Sequence, residues 1–189
     1  MGLTMELDHA VKVRSYPGSP RGGDTGLVIP HEDGALVALI DASGHGLSAW
    51  AVAQKARAVV LQHPHAEPCQ LLDLLDAALK GTDGAAASIA RIRGETLSFA
   101  GVGNVAARID TQRLTTQTGI VGCRMRTPHL ITTAFPCGAW LLMHTDGVAT
   151  PPHIPPGSAQ TVVQTLIETR GSDTDDASAL ALRASPRPR

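Results

Sequence analysis

The sequence predicts an α+β fold in which helices lie on the faces of antiparallel sheets. Short apolar runs of strand length outnumber the helical segments, and several of them are joined by tight turns that contain glycine. A regular alternation of strand and helix is absent. The 189 residues are 43% hydrophobic and 17% charged, a composition that supports one core without disulfides or a structural metal.

The first strands are predicted before residue 41. Residues 9–16 alternate loosely, and a loop rich in Gly, Pro and Arg follows at 17–23. Two apolar runs, 26–29 and 35–40, lie on either side of Asp33-Gly34, a pair that is typical of a β-hairpin. These two runs are therefore expected to pair in antiparallel fashion.

Three helices are predicted from apolar residues at helical spacing, over 47–62, 68–80 and 158–169. Gly81 suits the left-handed position after the second helix, and Ser158 suits the cap of the third.

The remaining apolar runs have the length of strands, and the first three of them are expected to form an antiparallel meander. They cover residues 86–92, 96–100, 105–109, 129–135, 140–144 and 177–182. We expect a single domain over residues 1–183 and a flexible tail over 184–189, where the sequence is Ala-Ser-Pro-Arg-Pro-Arg.

Charge and cysteine content exclude several classes of function. With 16 Lys and Arg against 17 Asp and Glu, the chain has no basic excess with which to bind nucleic acid. No apolar run is long enough to span a membrane, and the N-terminus lacks a signal pattern. Cys69, Cys123 and Cys137 form neither a disulfide framework nor a CxxC pair. A cytoplasmic protein with no nucleic-acid or membrane partner is expected.

Aspartates occur at the ends of the predicted strands. Two strongly apolar strands end at Asp41 and Asp146, and Asp175 and Asp176 precede the last strand. Asp24 opens the strand that pairs with the Asp41 strand across the hairpin. If the last strand is antiparallel to the others, four acidic groups converge on one edge.

Converging carboxylates repel one another, and divalent cations such as Mg²⁺ or Mn²⁺ relieve that repulsion. The glycine-rich segment 43–46 allows the chain to turn after Asp41 and to expose a carbonyl group. Each aspartate taken alone could equally be a turn residue or a helix cap. Their shared position at strand ends favours a metal site.

These residues also resemble a known family. The ordered motifs at 23–24, 41–46, 145–147 and 175–178 are similar to those of metal-dependent PP2C-type (PPM) phosphatases, in particular the bacterial SpoIIE-like branch. Residues 99–104 and 119–122 further resemble the small stressosome phosphatases of the RsbX type. The similarity spans residues 21–182.

The resemblance implies an α-β-β-α sandwich with a site for two Mn²⁺ or Mg²⁺ ions that activate water for attack on phosphorus. It implies that Asp41 bridges the two ions and that Asp146 and Asp175 hold one of them. Asp24, through water, and the Ala42 carbonyl would hold the other.

Three assignments stay open. Asp176 is an alternative to Asp175 as the ligand, although we favour Asp175. His45 could protonate the leaving oxygen, or it could be a loop histidine bonded to the backbone. Arg21 could hold the phosphate as a bidentate donor, or it could be a solvated loop residue.

By this resemblance the protein is expected to be a serine/threonine phosphatase acting on a phosphorylated STAS-domain or other stressosome protein. One alternative is a phosphatase of a single-domain anti-anti-sigma factor. The other is a catalytically inactive relative that binds a phosphoprotein.

Overall fold

The computed structural model describes residues 5–186, and these form two five-stranded antiparallel sheets packed face to face with helices on both outer faces. The predicted α-β-β-α sandwich is therefore confirmed. In chain order the elements are β1 (Met5–Arg14), β2 (Asp24–His31), β3 (Gly34–Ala42), α1 (Gly46–Gln62), α2 (Pro68–Leu79), β4 (Ala85–Arg93), β5 (Thr96–Val102), β6 (Ala106–Ile109), β7 (Gln112–Leu114), β8 (Ile131–Ala134), β9 (Trp140–His144), α3 (Ala159–Arg170) and β10 (Ala177–Pro186).

The strand order is β1-β10-β9-β6-β7 in one sheet, called sheet A here, and β2-β3-β4-β5-β8 in the other, sheet B. The unbroken apolar run of β3 follows from its central position in sheet B. Its odd-numbered residues 35–39 enter the core between the sheets, whereas its even-numbered residues 36–40 pack beneath α1 and α2. Both faces of the strand are buried, so both need apolar side chains.

The helices cover the two outer faces separately. α1 and α2 pack on sheet B, and α3 packs on β1 and β10 of sheet A. The hydroxyl oxygen of Ser158 accepts a hydrogen bond from the Thr161 amide at 3.3 Å, which is the predicted cap of α3. Gly81 has φ +80° after α2, again as predicted.

The predicted meander is wrong at its second connection. β4 pairs with β5, but β5 then pairs with β8, while β6 pairs with β9 and β7 in the other sheet. The chain crosses between the sheets after Val102, and the Val105 side chain enters the core between them. Apolar periodicity indicates a strand but carries no information about its partner.

The predicted tail over 184–189 is wrong for its first three residues. β10 continues to Pro186, and the buried Ala184 pairs with Leu7 of β1. The prediction ended the strand early because two prolines follow Ala184 in the sequence. Residues 187–189 lie outside the described part of the chain.

Two further features concern the chain as a whole. Cys69, Cys123 and Cys137 are free thiols, as their number and spacing suggest. Within residues 5–186, every helix is too short or too polar to cross a lipid bilayer.

The core between the sheets depends on Phe99, which is fully buried. We expect Phe99→Ala to lower the free energy of unfolding by about 3–5 kcal/mol, because it leaves a cavity that the two rigid sheets cannot fill. Urea denaturation measures the change. Leu130→Ala is the control, since 46% of Leu130 is exposed, and a change there as large as at Phe99 would contradict this account of the core.

Candidate active site

Strand register brings the predicted aspartates to one edge of the sandwich. In sheet B, Asp24 at the start of β2 lies directly opposite Asp41 near the end of β3. In sheet A, β10 runs antiparallel to β9, so the segment before β10 returns to the end of β9, where Asp146 lies. The Thr145 hydroxyl donates to Asp24 Oδ2 at 2.8 Å and joins the edges of the two sheets.

At this edge the structure has a cleft of about 790 Å³. Asp41, Asp146 and Asp175 line it, together with the neutral polar side chains of Ser43, Asn104, Thr116, Thr118 and Thr174 and with His45 and Ile120. Among the residues that the structure describes, none of those lining the cleft is Lys or Arg. The cleft therefore concentrates negative charge.

Asp41 is the aspartate of the cleft whose pKa is raised most. Burial, together with repulsion by Asp24, Asp146 and Asp175, raises the pKa of Asp41 to about 8. The geometry places Asp41, Asp146 and Asp175 in the lining of one cleft, with Asp24 directly opposite Asp41. Without bound cations, Asp41 therefore carries a proton through much of the neutral range.

Asp24 lies deeper than Asp41. Burial raises its pKa to about 6, although hydrogen bonds from Ser178 and Thr145 act in the opposite direction. Its second oxygen, Oδ1, is buried and has no hydrogen-bond partner. An unpaired buried carboxylate oxygen is costly, and a cation or a cation-bound water would satisfy it.

The structure separates Asp175 from Asp176. Asp175 is exposed and lines the cleft, whereas Asp176 is buried, with only 4% of its surface exposed. Both carboxylate oxygens of Asp176 accept backbone hydrogen bonds, from Tyr16 at 2.6 Å and from Gly23 at 2.5 Å. Asp176 thus holds the segment that leads into Asp24, and Asp175 is the residue available to a ligand.

Two glycines permit this arrangement. A Cβ at Gly22 would lie 2.6 Å from Asp176 Oδ1, and a Cβ at Gly23 would lie 2.8 Å from the Ala42 carbonyl oxygen. The Ala42 amide also donates to the Gly23 carbonyl at 3.0 Å. The Ala42 carbonyl therefore lies beside the chain that carries Asp24, and no larger residue fits between them.

His45 and Arg21 occupy different surroundings. His45 is exposed, precedes the first residue of α1 and lines the cleft. Arg21 is also exposed, but its guanidinium carbon lies 4.2 Å from the centre of the Trp50 ring on α1, and Arg21 is not among the residues that line the cleft. Of the two predicted catalytic side chains, only His45 lies at the cleft.

The donor set fits divalent cations in its chemistry. As the side chains stand, no three His, Cys, Asp or Glu residues within 5–186 form a group that could hold a metal ion. The described lining of the cleft nevertheless has three carboxylates and neither Lys nor Arg, and Asp24 Oδ1 is unpaired. Phosphate would be repelled by this lining unless cations neutralised it.

Solved structures with the same architecture cover nearly the whole chain. One comes from work on the bacterial stressosome as a modular system adapted to control secondary messenger signalling, with a TM-score of 0.88, 24% identity, and 94% of this chain and 100% of that chain covered. RsbX in complex with magnesium gives a TM-score of 0.86 and 19% identity over 96% of this chain and 98% of that one.

The catalytic domain of the serine/threonine protein phosphatase PstP with two manganese ions gives a TM-score of 0.76 and 16% identity. The similarity covers 96% of this chain and 100% of that chain. The chain has the PP2C phosphatase fold. The resemblance to PP2C-type phosphatases that the sequence motifs indicated is therefore confirmed for the fold. Neither a protein-family model nor a curated protein matches the sequence.

Within this PP2C fold, sequence reasoning gave no role to Asn104, which lines the cleft, or to Thr145, which is buried beside Asp24. Asn104 Nδ2 donates to Asp146 Oδ2 at 2.5 Å and fixes that exposed carboxylate. Thr145 bonds to both Asp24 and the Ser178 amide. Both residues belong to motifs that carried the resemblance, so their position next to glycine or aspartate was the available signal.

The raised pKa of Asp41 predicts a pH-dependent stability in metal-free protein. Between its ordinary value and about 8, folded Asp41 holds a proton that the unfolded chain has lost, so the free energy of unfolding falls as pH rises. In the window from about pH 6 to 8 the loss of stability is expected mainly from Asp41, because the pKa of Asp24 lies lower, at about 6, and burial lowers the pKa of His144 from its ordinary 6.5.

Urea denaturation in EDTA at several pH values checks this prediction. Wild-type protein should lose stability across the window, Asp41→Asn should not, and Asp73→Asn, at an exposed position on α2, should behave as wild type. Equal slopes for wild type and Asp41→Asn would contradict the electrostatic account.

Asp176 predicts a second measurable effect. An asparagine has one acceptor and one donor in place of two acceptors, so Asp176→Asn cannot accept from both Tyr16 and Gly23. We expect a loss of about 1.5–3 kcal/mol in the free energy of unfolding. We also expect Mn²⁺ affinity to fall by about 10–100-fold, because Asp24 follows Gly23.

Isothermal titration with Mn²⁺ and urea denaturation measure the two effects of Asp176→Asn. Asp173→Asn is the matched control, since Asp173 lies in the same loop with its side chain 91% exposed. Unchanged Mn²⁺ affinity in Asp176→Asn would show that this carboxylate does not position Asp24.

Proposed function

We propose that this protein is a metal-dependent phosphatase that hydrolyses phosphoserine or phosphothreonine in a bacterial signalling protein. The observation that carries the proposal is that Asp41, Asp146 and Asp175 line one cleft, with Asp24 directly opposite Asp41, and that neither Lys nor Arg is among the described residues of that lining. The PP2C fold adds support, since PstP and RsbX share it.

The proposed ligand set contains two divalent ions, Mn²⁺ or Mg²⁺. Asp41 would contact both, because its carboxylate interacts with aspartates from both sheets. Asp146 and Asp175 would hold one ion, and Asp24 with the Ala42 carbonyl would hold the other. When bound, such a pair activates water for in-line attack on phosphorus and offsets the charge of the phosphoryl oxygens.

Side chains of the protein would orient the metal ligands and donate a proton to the leaving group. Asn104 keeps Asp146 oriented through its hydrogen bond. His45, which lines the cleft, would give a proton to the serine or threonine oxygen as the ester bond breaks. Arg21 has a lesser part in this proposal, because it stacks on Trp50 outside the cleft lining.

For the substrate, we propose a phosphorylated STAS-domain or other stressosome protein in the cytoplasm. What supports this is the similarity to RsbX and to a chain from work on the bacterial stressosome. The main alternative substrate is a single-domain anti-anti-sigma factor. A catalytically inactive phosphoprotein-binding protein is the alternative of a different class.

Phosphate release from p-nitrophenyl phosphate and from a phosphoserine peptide, with Mn²⁺ or with EDTA, tests the proposed function. We expect turnover that requires Mn²⁺ and that falls by at least about 100-fold in Asp41→Asn, because the residue proposed to contact both ions is lost.

The control for that substitution is Asp73→Asn, which removes an exposed carboxylate from α2 and should leave turnover unchanged. Absence of turnover on both substrates with Mn²⁺ would favour the inactive phosphoprotein-binding alternative. Near-normal turnover in Asp41→Asn would refute the ligand assignment.

A further inference from the structure

Exposed apolar side chains are concentrated at the cleft. Among the residues described, six large hydrophobic side chains are exposed, and three of them either line the cleft or lie near His45, which lines it. They are Tyr16, Leu47 and Ile120, with 39%, 66% and 41% of their surface exposed. Single exposed apolar residues are common on protein surfaces, but a cluster around a functional cleft indicates a binding surface.

These three residues, called the apolar rim here, come from separate parts of the chain. Ile120 lines the cleft directly, in the segment that follows β7. Leu47 is in the first turn of α1, two residues after His45. The Tyr16 ring lies 6.2 Å from the His45 ring, measured between ring centres. Ile120 is therefore part of the cleft lining, Tyr16 lies close to His45 in space, and Leu47 lies close to His45 in sequence.

The packing of the domain does not account for the apolar character of Leu47. The first turn of α1 buries Ala49 against sheet B, while Leu47 stays two-thirds exposed. A polar residue at this position would keep the helix and avoid contact between apolar surface and water. The side chain gains a role once a ligand covers it.

Once bound cations neutralised the aspartates, the cleft would offer little further charge to a peptide. Apart from the aspartates and His45, its polar side chains are neutral serine, threonine and asparagine. Sequence recognition next to the phosphate must then come mainly from apolar contact. This favours a protein ligand with apolar side chains over a strongly charged peptide or a small phosphorylated metabolite.

We propose that the apolar rim of Tyr16, Leu47 and Ile120 selects phosphoproteins whose phosphoserine or phosphothreonine is flanked by apolar side chains. This inference rests on the proposed phosphatase function and specifies its substrate class. The aspartates act on the phosphoryl group, which every phosphoprotein shares, and the rim supplies the discrimination between proteins.

Two synthetic phosphoserine peptides test the inference. They are identical except that one has leucines on both sides of the phosphoserine and the other has asparagines. With Mn²⁺, wild-type protein should show a kcat/KM about tenfold higher for the leucine peptide, since one apolar contact contributes a factor of this size. Leu47→Ala should reduce that preference to about threefold or less, mainly through KM.

The control substitution is Leu61→Ala, because Leu61 is 51% exposed on the same helix but lies about 21 Å further along it. The wild-type preference should persist in this variant. A second rim variant, Ile120→Ala, should also lower the preference, from the other side of the cleft.

Each outcome separates this inference from the proposed function. Hydrolysis of neither peptide by wild-type protein would refute the phosphatase function itself. Equal hydrolysis of both peptides, or a preference that survives Leu47→Ala, would refute the rim while leaving the phosphatase intact. Equal hydrolysis together with dimerisation that Leu47→Ala abolishes in analytical ultracentrifugation would instead assign the rim to a second copy of this chain.

Discussion

Mutual repulsion between aspartates is the constraint on which the site depends. Burial of Asp41 raises its pKa to about 8, and repulsion by Asp24, Asp146 and Asp175 at the same edge adds to that rise. Proton uptake relieves the repulsion in metal-free protein, and divalent cations would relieve it in the proposed active form. Cation binding and proton release by Asp41 are therefore expected to be linked.

The sandwich architecture makes that concentration of charge sterically possible. Each sheet contributes carboxylates at the edge where its strands begin or end, and polar groups join the two edges. Thr145, which directly follows β9 of sheet A, donates a hydrogen bond to Asp24 of sheet B, and Asp176 accepts one from the Gly23 amide. These cross-sheet hydrogen bonds hold Asp24 in place even though its own burial is unfavourable, and the two packed cores supply the rigidity behind them.

Local patterns predicted those parts of the site that local geometry determines. A two-residue turn fixes the β2–β3 register, so the approach of Asp24 to Asp41 followed from the sequence. The turn residues are Glu32 and Asp33 rather than the predicted Asp33-Gly34, and Gly34 already pairs with His31. Which of Asp175 and Asp176 is available to a metal ion did not follow from the sequence. Neighbouring residues point to opposite sides, and the sequence does not say which side faces the cleft. The two amides that bond to Asp176 come from a loop more than 150 residues earlier.

Strand partners were the other part that the sequence could not supply. The segment around Asn104 was expected to be a turn within one sheet, whereas it carries the chain from sheet B to sheet A. That crossing brings the Asn104 amide to Asp146, a contact that a meander would not produce. Tertiary pairing, which depends on the global packing of both sheets, thus created an interaction at the site that apolar periodicity cannot encode.

In the proposed phosphatase, hydrolysis and substrate recognition would be carried by different surfaces, and the reason is physical. Interactions of cations and carboxylates with a phosphoryl group are nearly the same for every phosphoserine, so they accelerate hydrolysis without distinguishing one protein from another. Discrimination needs contacts that vary between substrates. Around this cleft such contacts are available chiefly at exposed apolar side chains, because the lining beyond the aspartates is neutral and polar. A site that binds the phosphoryl group of any phosphoprotein needs other side chains to distinguish one substrate from another. We propose this role for Leu47 and Ile120.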